Sequence, residues 1–110
     1  MARGLSQYKL GGSTKYAQTW VIGDALYELK FVRKMGENSL GICDPSAKRL
    51  AIKQGQTRLE IFRTFIHEAL HAMEAEGDHD VPHKHIEFFE VWLADFLLDN
   101  APQLAKIIFS

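Results

Sequence analysis

An α+β fold, with a small antiparallel or mixed sheet packed on two helices, is what this 110-residue sequence predicts. Three observations carry that expectation. Between residues 20 and 53, apolar and polar side chains repeatedly alternate with a period of two, as half-buried strands do. From Thr57 to Gly77, apolar residues return every three or four positions behind a capping signal. A second stripe of helical period runs from His83 to Leu98. Repeats, low-complexity tracts and interdomain linkers are absent from the sequence, so residues 1–110 read as one domain. A chain of this length buries roughly two-thirds of its unfolded surface.

The elements follow in order. Residues 1–19 contain Gly4, Gly11 and Gly12 and read as an irregular arm, with one short strand near Tyr8–Leu10. Trp20, Val21 and Ile22 form an apolar run, and Gly23-Asp24 is a turn signal. Ala25 to Val32 is rich in strand-favouring types, and Leu29 and Phe31 alternate with Glu28 and Lys30. A hairpin is therefore preferred over a helix N-capped by Asp24. Residues 36–39 form a loop. Leu40 to Asp44 is a short strand running into an Asp-Pro turn, and Arg49–Lys53 is another strand with Leu50 and Ile52 on one face.

Thr57 then offers an N-cap, with Glu60 three residues on to complete a capping box. Leu59, Phe62, Ile66, Leu70 and Met73 form the expected buried stripe, and Gly77 is the expected stop. Residues 78–82 connect to the second helix, whose stripe is Ile86, Phe89, Leu93, Phe96 and Leu97, widened by Phe88 and Trp92. The segment from Leu104 to Phe109 suits a last short helix or an extended piece on the core.

Composition narrows the function classes. Apolar content of 46% and charged content of 25% are those of an ordinary globular protein. A formal net charge of -1 gives no global field toward nucleic acid or an anionic membrane. The cations Arg33, Lys34, Lys48, Arg49 and Lys53 are scattered, which disfavours strong DNA affinity. Cys43 is the only cysteine, so an intrachain disulfide and a four-cysteine zinc site are both excluded. It is expected to be a small buried residue. The sequence shows no secretory signal and no run of the ~18 apolar residues that span a membrane. An intracellular, cytoplasmic protein is the expectation.

The first helix carries His67-Glu68-Ala69-Leu70-His71. Side chains at i and i+4 share one helical face, so both imidazoles can point at one metal ion. Glu68 lies beside the first ligand, within reach of a metal-bound water, which is the arrangement of a zinc hydrolase. A catalytic zinc takes three protein ligands and keeps a fourth place for water. Candidates for the third are His79, His83, His85, Glu87 and Glu90. At 100° per residue, Glu90 lies within ~60° of Ile86, Leu93 and Leu97, at one edge of the apolar stripe, where an unpaired carboxylate is costly. His83 lies at nearly the same angle two turns earlier. Glu87 is turned toward solvent, His85 lies at the other edge, and His79 reads as a solvated loop histidine.

His-Glu-x-x-His, eighteen residues and then Glu90 resembles the gluzincin branch of zinc metallopeptidases. That resemblance implies Glu90 as third ligand. A wider stretch, from Gly41 through Asp44, Thr64-x-x-His67-Glu68-x-x-His71-Ala72 and Leu97-x-Asp99-Asn100, is similar to small zincin-like proteins of bacteria and phages. These include SprT-like and repressor-cleaving metallopeptidases. The SprT-like pattern, a histidine followed four residues on by an aromatic, implies His85 with Phe89, and His83 is its near competitor. Glu90 is preferred, with His83 and His85 as alternatives.

The resemblance implies zinc as cofactor, a protein or peptide substrate, and Glu68 as general base. It also implies an edge strand that pairs with extended substrate, for which Arg49–Lys53 is the candidate. His83 or Tyr27 could serve as oxyanion donor, and Glu74 could orient an imidazole or be solvated. The rival readings are a degenerate zincin-like metal-binding domain acting as a regulatory module, and hydrolysis of a non-peptide bond.

Overall fold

The computed structural model describes residues 7–9, 16–36 and 38–103. Five strands form one mixed sheet: β1 (Gln7–Lys9), β2 (Tyr16–Ile22), β3 (Ala25–Val32), β4 (Gly41–Asp44) and β5 (Arg49–Lys53). Two helices follow, α1 (Arg58–Gly77) and α2 (His83–Asn100). The α+β class is as expected, and the strand reading of residues 25–32 holds over the helical one. Residues 104–110, including the expected terminal segment, lie outside the described residues.

Strand order across the sheet is β1-β2-β3-β5-β4. β2 and β3 are an antiparallel hairpin closed by Gly23-Asp24, with Ile22 paired to Ala25. Gly23 takes φ 61°, the left-handed conformation that a two-residue hairpin loop asks of its first central residue. From β3 the chain crosses to the far edge, forms β4, turns through residues 45–48 and returns as β5 beside β3. Asp44 holds that turn by accepting hydrogen bonds from Ser46 Oγ at 2.9 Å and Ala47 N–H at 3.2 Å. β5 is thus parallel to β3 and antiparallel to β4.

Two expectations are corrected here. The irregular arm does not extend to residue 19, because β2 begins at Tyr16 and pairs with β1 through Gln18↔Gln7. The polar run hid the strand. Gln18 is buried and its Oε1 accepts from Trp20 Nε1 at 3.1 Å, so a hydrogen bond rather than apolar character lets it sit inside. Nor is Arg49–Lys53 the edge. β5 is bonded on both sides, and the edge on its side of the sheet belongs to β4, with β1 at the other edge.

α1 begins as expected. Thr57 Oγ1 accepts from Glu60 N–H at 3.2 Å, and Glu60 Oε1 accepts from Thr57 N–H at 2.9 Å. Its end differs by one residue. Gly77 is still helical, and Asp78 takes the left-handed position at φ 50°, a conformation that aspartate tolerates better than most side chains. The buried face is also wider than the apolar stripe. Phe62, Phe65, Ile66, Ala69 and Ala72 face the core with Tyr27, Leu29, Leu50 and Ile52, while Leu59 and Met73 are exposed. α1 carries β4 on one flank and α2 on the other, which buries Thr64 and Glu68 as well.

α2 packs mainly against α1. Ile86 and Ala94 are buried, and Leu93, Leu97 and Leu98 lean on the core. The expected stripe is only half used. Phe88, Phe89, Trp92 and Phe96 are 54%, 45%, 64% and 60% exposed. With α1 as its main neighbour among the described elements, the helix buries mainly one face.

Candidate metal centre

His67 and His71, one turn apart on α1, lie on the surface left between α2 and β4. Their Nε2 atoms face each other at 3.2 Å. Each ring is held from behind. His67 Nδ1–H donates to Glu90 Oε1 at 2.5 Å, and His71 Nδ1–H donates to Glu74 Oε1 at 2.7 Å. A carboxylate accepts, so each Nδ1 carries the proton and each Nε2 keeps its lone pair, the tautomer a metal ligand needs. Two such lone pairs at 3.2 Å repel unless a proton or a cation lies between them. Nitrogen ligands of a tetrahedral zinc, at bonds of 2.0–2.1 Å, sit about 3.3 Å apart.

The third donor that converges on this pair is His83, the first residue of α2. One nitrogen from each of His67, His71 and His83 lies within 4.8 Å of the other two. The His83 ring stands 5.3 Å from that of His67 and 5.8 Å from that of His71, centroid to centroid. It is exposed, with Nδ1 3.5 Å from Glu87 Oε2. These donors could hold a divalent metal, and imidazole suits zinc, copper, iron and nickel.

Glu90 sits elsewhere than the gluzincin spacing implies. Its carboxylate lies against His67 Nδ1, on the side of the ring away from His71. His83 and Glu90 share one angle on α2, as the sequence indicates, but the two turns between them bring His83 to the Nε2 atoms and Glu90 to the back of a ring. His85 is exposed and is not brought to the cluster. His79 lies in the connecting loop and lines a polar cleft beside His71 with Glu74, Asp78 and Asp80.

Glu74 also accepts from Val81 N–H at 2.7 Å through its other oxygen, tying the connecting loop to α1. The Val81 bond, then the His71 bond, holds its carboxyl below the usual carboxylate range. Glu68 is 8% exposed. Burial pushes its pKa up, against the opposing pull of His67 and His71. The room for it comes from Gly41. A Cβ there would stand 2.6 Å from Thr64 Cγ2 and 2.9 Å from Glu68 Oε2, so only glycine lets β4 pass this close. Sequence reasoning gave Gly41 no such role, because the approach joins residues 27 positions apart and leaves no local signal.

β4 presents its open edge beside Glu68. Lys53 N–H bonds Leu40 O at 2.9 Å, so with this antiparallel register residues 40, 42 and 44 face β5. The N–H and C=O of Gly41 and Cys43 therefore point outward. The Tyr27 hydroxyl, considered above as an oxyanion donor, is engaged elsewhere. It is fully buried and donates to Glu76 Oε2 at 2.7 Å, alongside Lys48 Nζ at 2.5 Å.

Fold and site together define an α+β protein with a cluster of three histidines, two of them braced by carboxylates. No family model, curated protein or solved structure matches the chain.

Proposed function

We propose that the protein is a zinc-dependent peptidase, with His67, His71 and His83 as metal ligands and Glu68 as general base. What carries this reading is the facing Nε2 pair, each ring braced at Nδ1 by a carboxylate. Zinc bound there would supply a water of pKa near ~7 and a Lewis acid for the substrate carbonyl. Glu68 takes the proton of the attacking water and passes it to the leaving amine. Its buried position beside Gly41 raises its affinity for that proton during the transfer. Glu90 and Glu74 hold the two rings in register and stabilise the ligand tautomer. The open edge of β4 offers backbone groups at Gly41 and Cys43 to an extended peptide, which supports a protein or peptide substrate over a smaller one.

The test joins metal analysis to proteolysis. Purified protein should carry one zinc per chain and cleave unfolded protein or a mixed peptide library. Glu68→Gln should keep the zinc and lower kcat by about 10²–10⁴. Stoichiometric zinc with no cleavage of any peptide would instead make the chain a metal-binding regulatory module. Absence of zinc binding would overturn the ligand assignment itself.

A further inference from the structure

We infer that the exposed aromatic face of α2 is a homodimer interface, on which a second copy of this chain lays its own α2 antiparallel. The face is a stripe rather than scattered residues. At about 100° per residue, His85, Phe88, Trp92, Phe96 and Asp99 fall within about 80° of arc, with Phe89 at its border. Phe88 stacks on Trp92 at 6.0 Å and meets Phe89 edge-on at 5.5 Å, so the rings already form one surface. No described element covers it, and the four aromatic side chains remain 45–64% exposed. A contiguous apolar patch of this kind marks an interaction site.

The order of residues in the stripe selects the occupant. It reads nearly the same in both directions about Trp92. A two-fold axis through Trp92 lays Phe88 on Phe96 of the second copy and His85 against its Asp99. An isologous interface needs such self-complementarity. Charge agrees. Lys84 and Asp99 lie on one flank of the stripe at opposite ends of the helix, and neither has an ion pair among the described residues. With the axis at Trp92, each Lys84 falls opposite Asn100 of the other copy and one residue from its Asp99, so antiparallel pairing brings the opposite charges together at both ends, whereas parallel pairing sets like against like.

Size agrees as well. Aromatic side chains offer 150–250 Å² each, so the exposed shares come to at most roughly 1,000 Å² across the pair, the size of a weak, reversible interface. His83 and Glu90 lie about 160–180° around the helix from Trp92, so this pairing leaves the histidine cluster open. It is independent of whether the site binds zinc.

Sedimentation of the full chain over a concentration series tests the proposal. Wild type should pass from monomer to dimer in the micromolar range, roughly 1–100 µM. Trp92→Glu and Phe96→Glu should each stay monomeric with an unchanged circular-dichroism spectrum. Lys84→Glu or Asp99→Lys alone should weaken the dimer roughly five- to tenfold, and the double swap should restore it to within about twofold. A wild-type monomer at about 200 µM would overturn the proposal, as would a double swap no tighter than the singles. If deletion of residues 104–110 creates a dimer that the full chain lacks, the stripe belongs to that segment and the proposal also fails.

Discussion

Substitutions at single residues separate ligands from supports. His83→Ala should lose zinc, measured by competition with a chromogenic chelator. Glu90→Ala should keep one zinc but bind it about 10–100-fold more weakly, the usual cost of removing a carboxylate behind a ligand histidine. His85→Ala should bind like wild type. If Glu90→Ala abolishes binding and His83→Ala does not, the gluzincin assignment is right and the three-histidine reading is not. Gly41 gives a different kind of test. An added methyl would meet Thr64 Cγ2 at 2.6 Å and Glu68 Oε2 at 2.9 Å. Gly41→Ala should therefore displace the base and cut kcat by ten-fold or more while zinc affinity stays within about threefold. Equal losses in both would mean that Gly41 matters only for folding.

Between elements, the ties are polar as well as apolar. Glu76 near the end of α1 accepts from both Tyr27 on β3 and Lys48 in the β4–β5 turn. Lys48 first, then Tyr27, lowers the Glu76 pKa, while burial and the Glu76 bond raise that of Tyr27 above the usual phenol range. The Glu76 contribution is therefore present above pH ~4.5 and lost as pH falls through its folded value. The Tyr27 contribution is present below pH ~10 and lost as pH rises through its folded value. Glu76→Gln should lower the melting temperature at pH 7, and the gap to wild type should narrow as pH falls from ~4.5 through the lowered folded value. A gap that is constant from pH 3 to pH 7 would assign the loss to packing instead.

The same elements show what a sequence discloses. Thr57 and Glu60 announced α1, and alternation announced β3 and β5, because caps and periodicity are local. His67, Glu68 and His71 were legible for the same reason: one helical turn sets their spacing. The start of β2, the edge position of β4 and the bare side of α2 were not, since each depends on which element lies alongside. Which α2 residue stands beside the Nε2 pair was not legible, because His83 and Glu90 lie at nearly the same angle on α2. Only the level at which α2 crosses α1 separates them.

For the whole molecule, the histidine cluster joins two parts that bury unequal shares of the core. The sheet and α1 share the core of Tyr27, Leu29, Leu50, Ile52, Phe62 and Ala72, whereas α2 is attached mainly through α1. Its anchors are Ile86 and Ala94, the Arg63–Asp95 ion pair at 3.1 Å and the Glu90–His67 bond. Elements with few buried contacts open first. A metal held by His67 and His71 on α1 and His83 on α2 would clamp the helices across that weak joint. At a hundredfold excess over its Kd, such a ligand adds about 2.7 kcal/mol to stability, which for a domain of this size is roughly 10 °C in Tm. The gain should not be uniform. Hydrogen exchange measured below about 1 µM, where paired α2 helices separate, should show chelation speeding exchange in residues 78–100 and leaving β2, β3 and β5 unchanged. Equal acceleration throughout would mean that the metal stabilises only the global fold. No change in α2 would remove His83 from the ligand set, because a metal bound to a residue of α2 must restrain that helix.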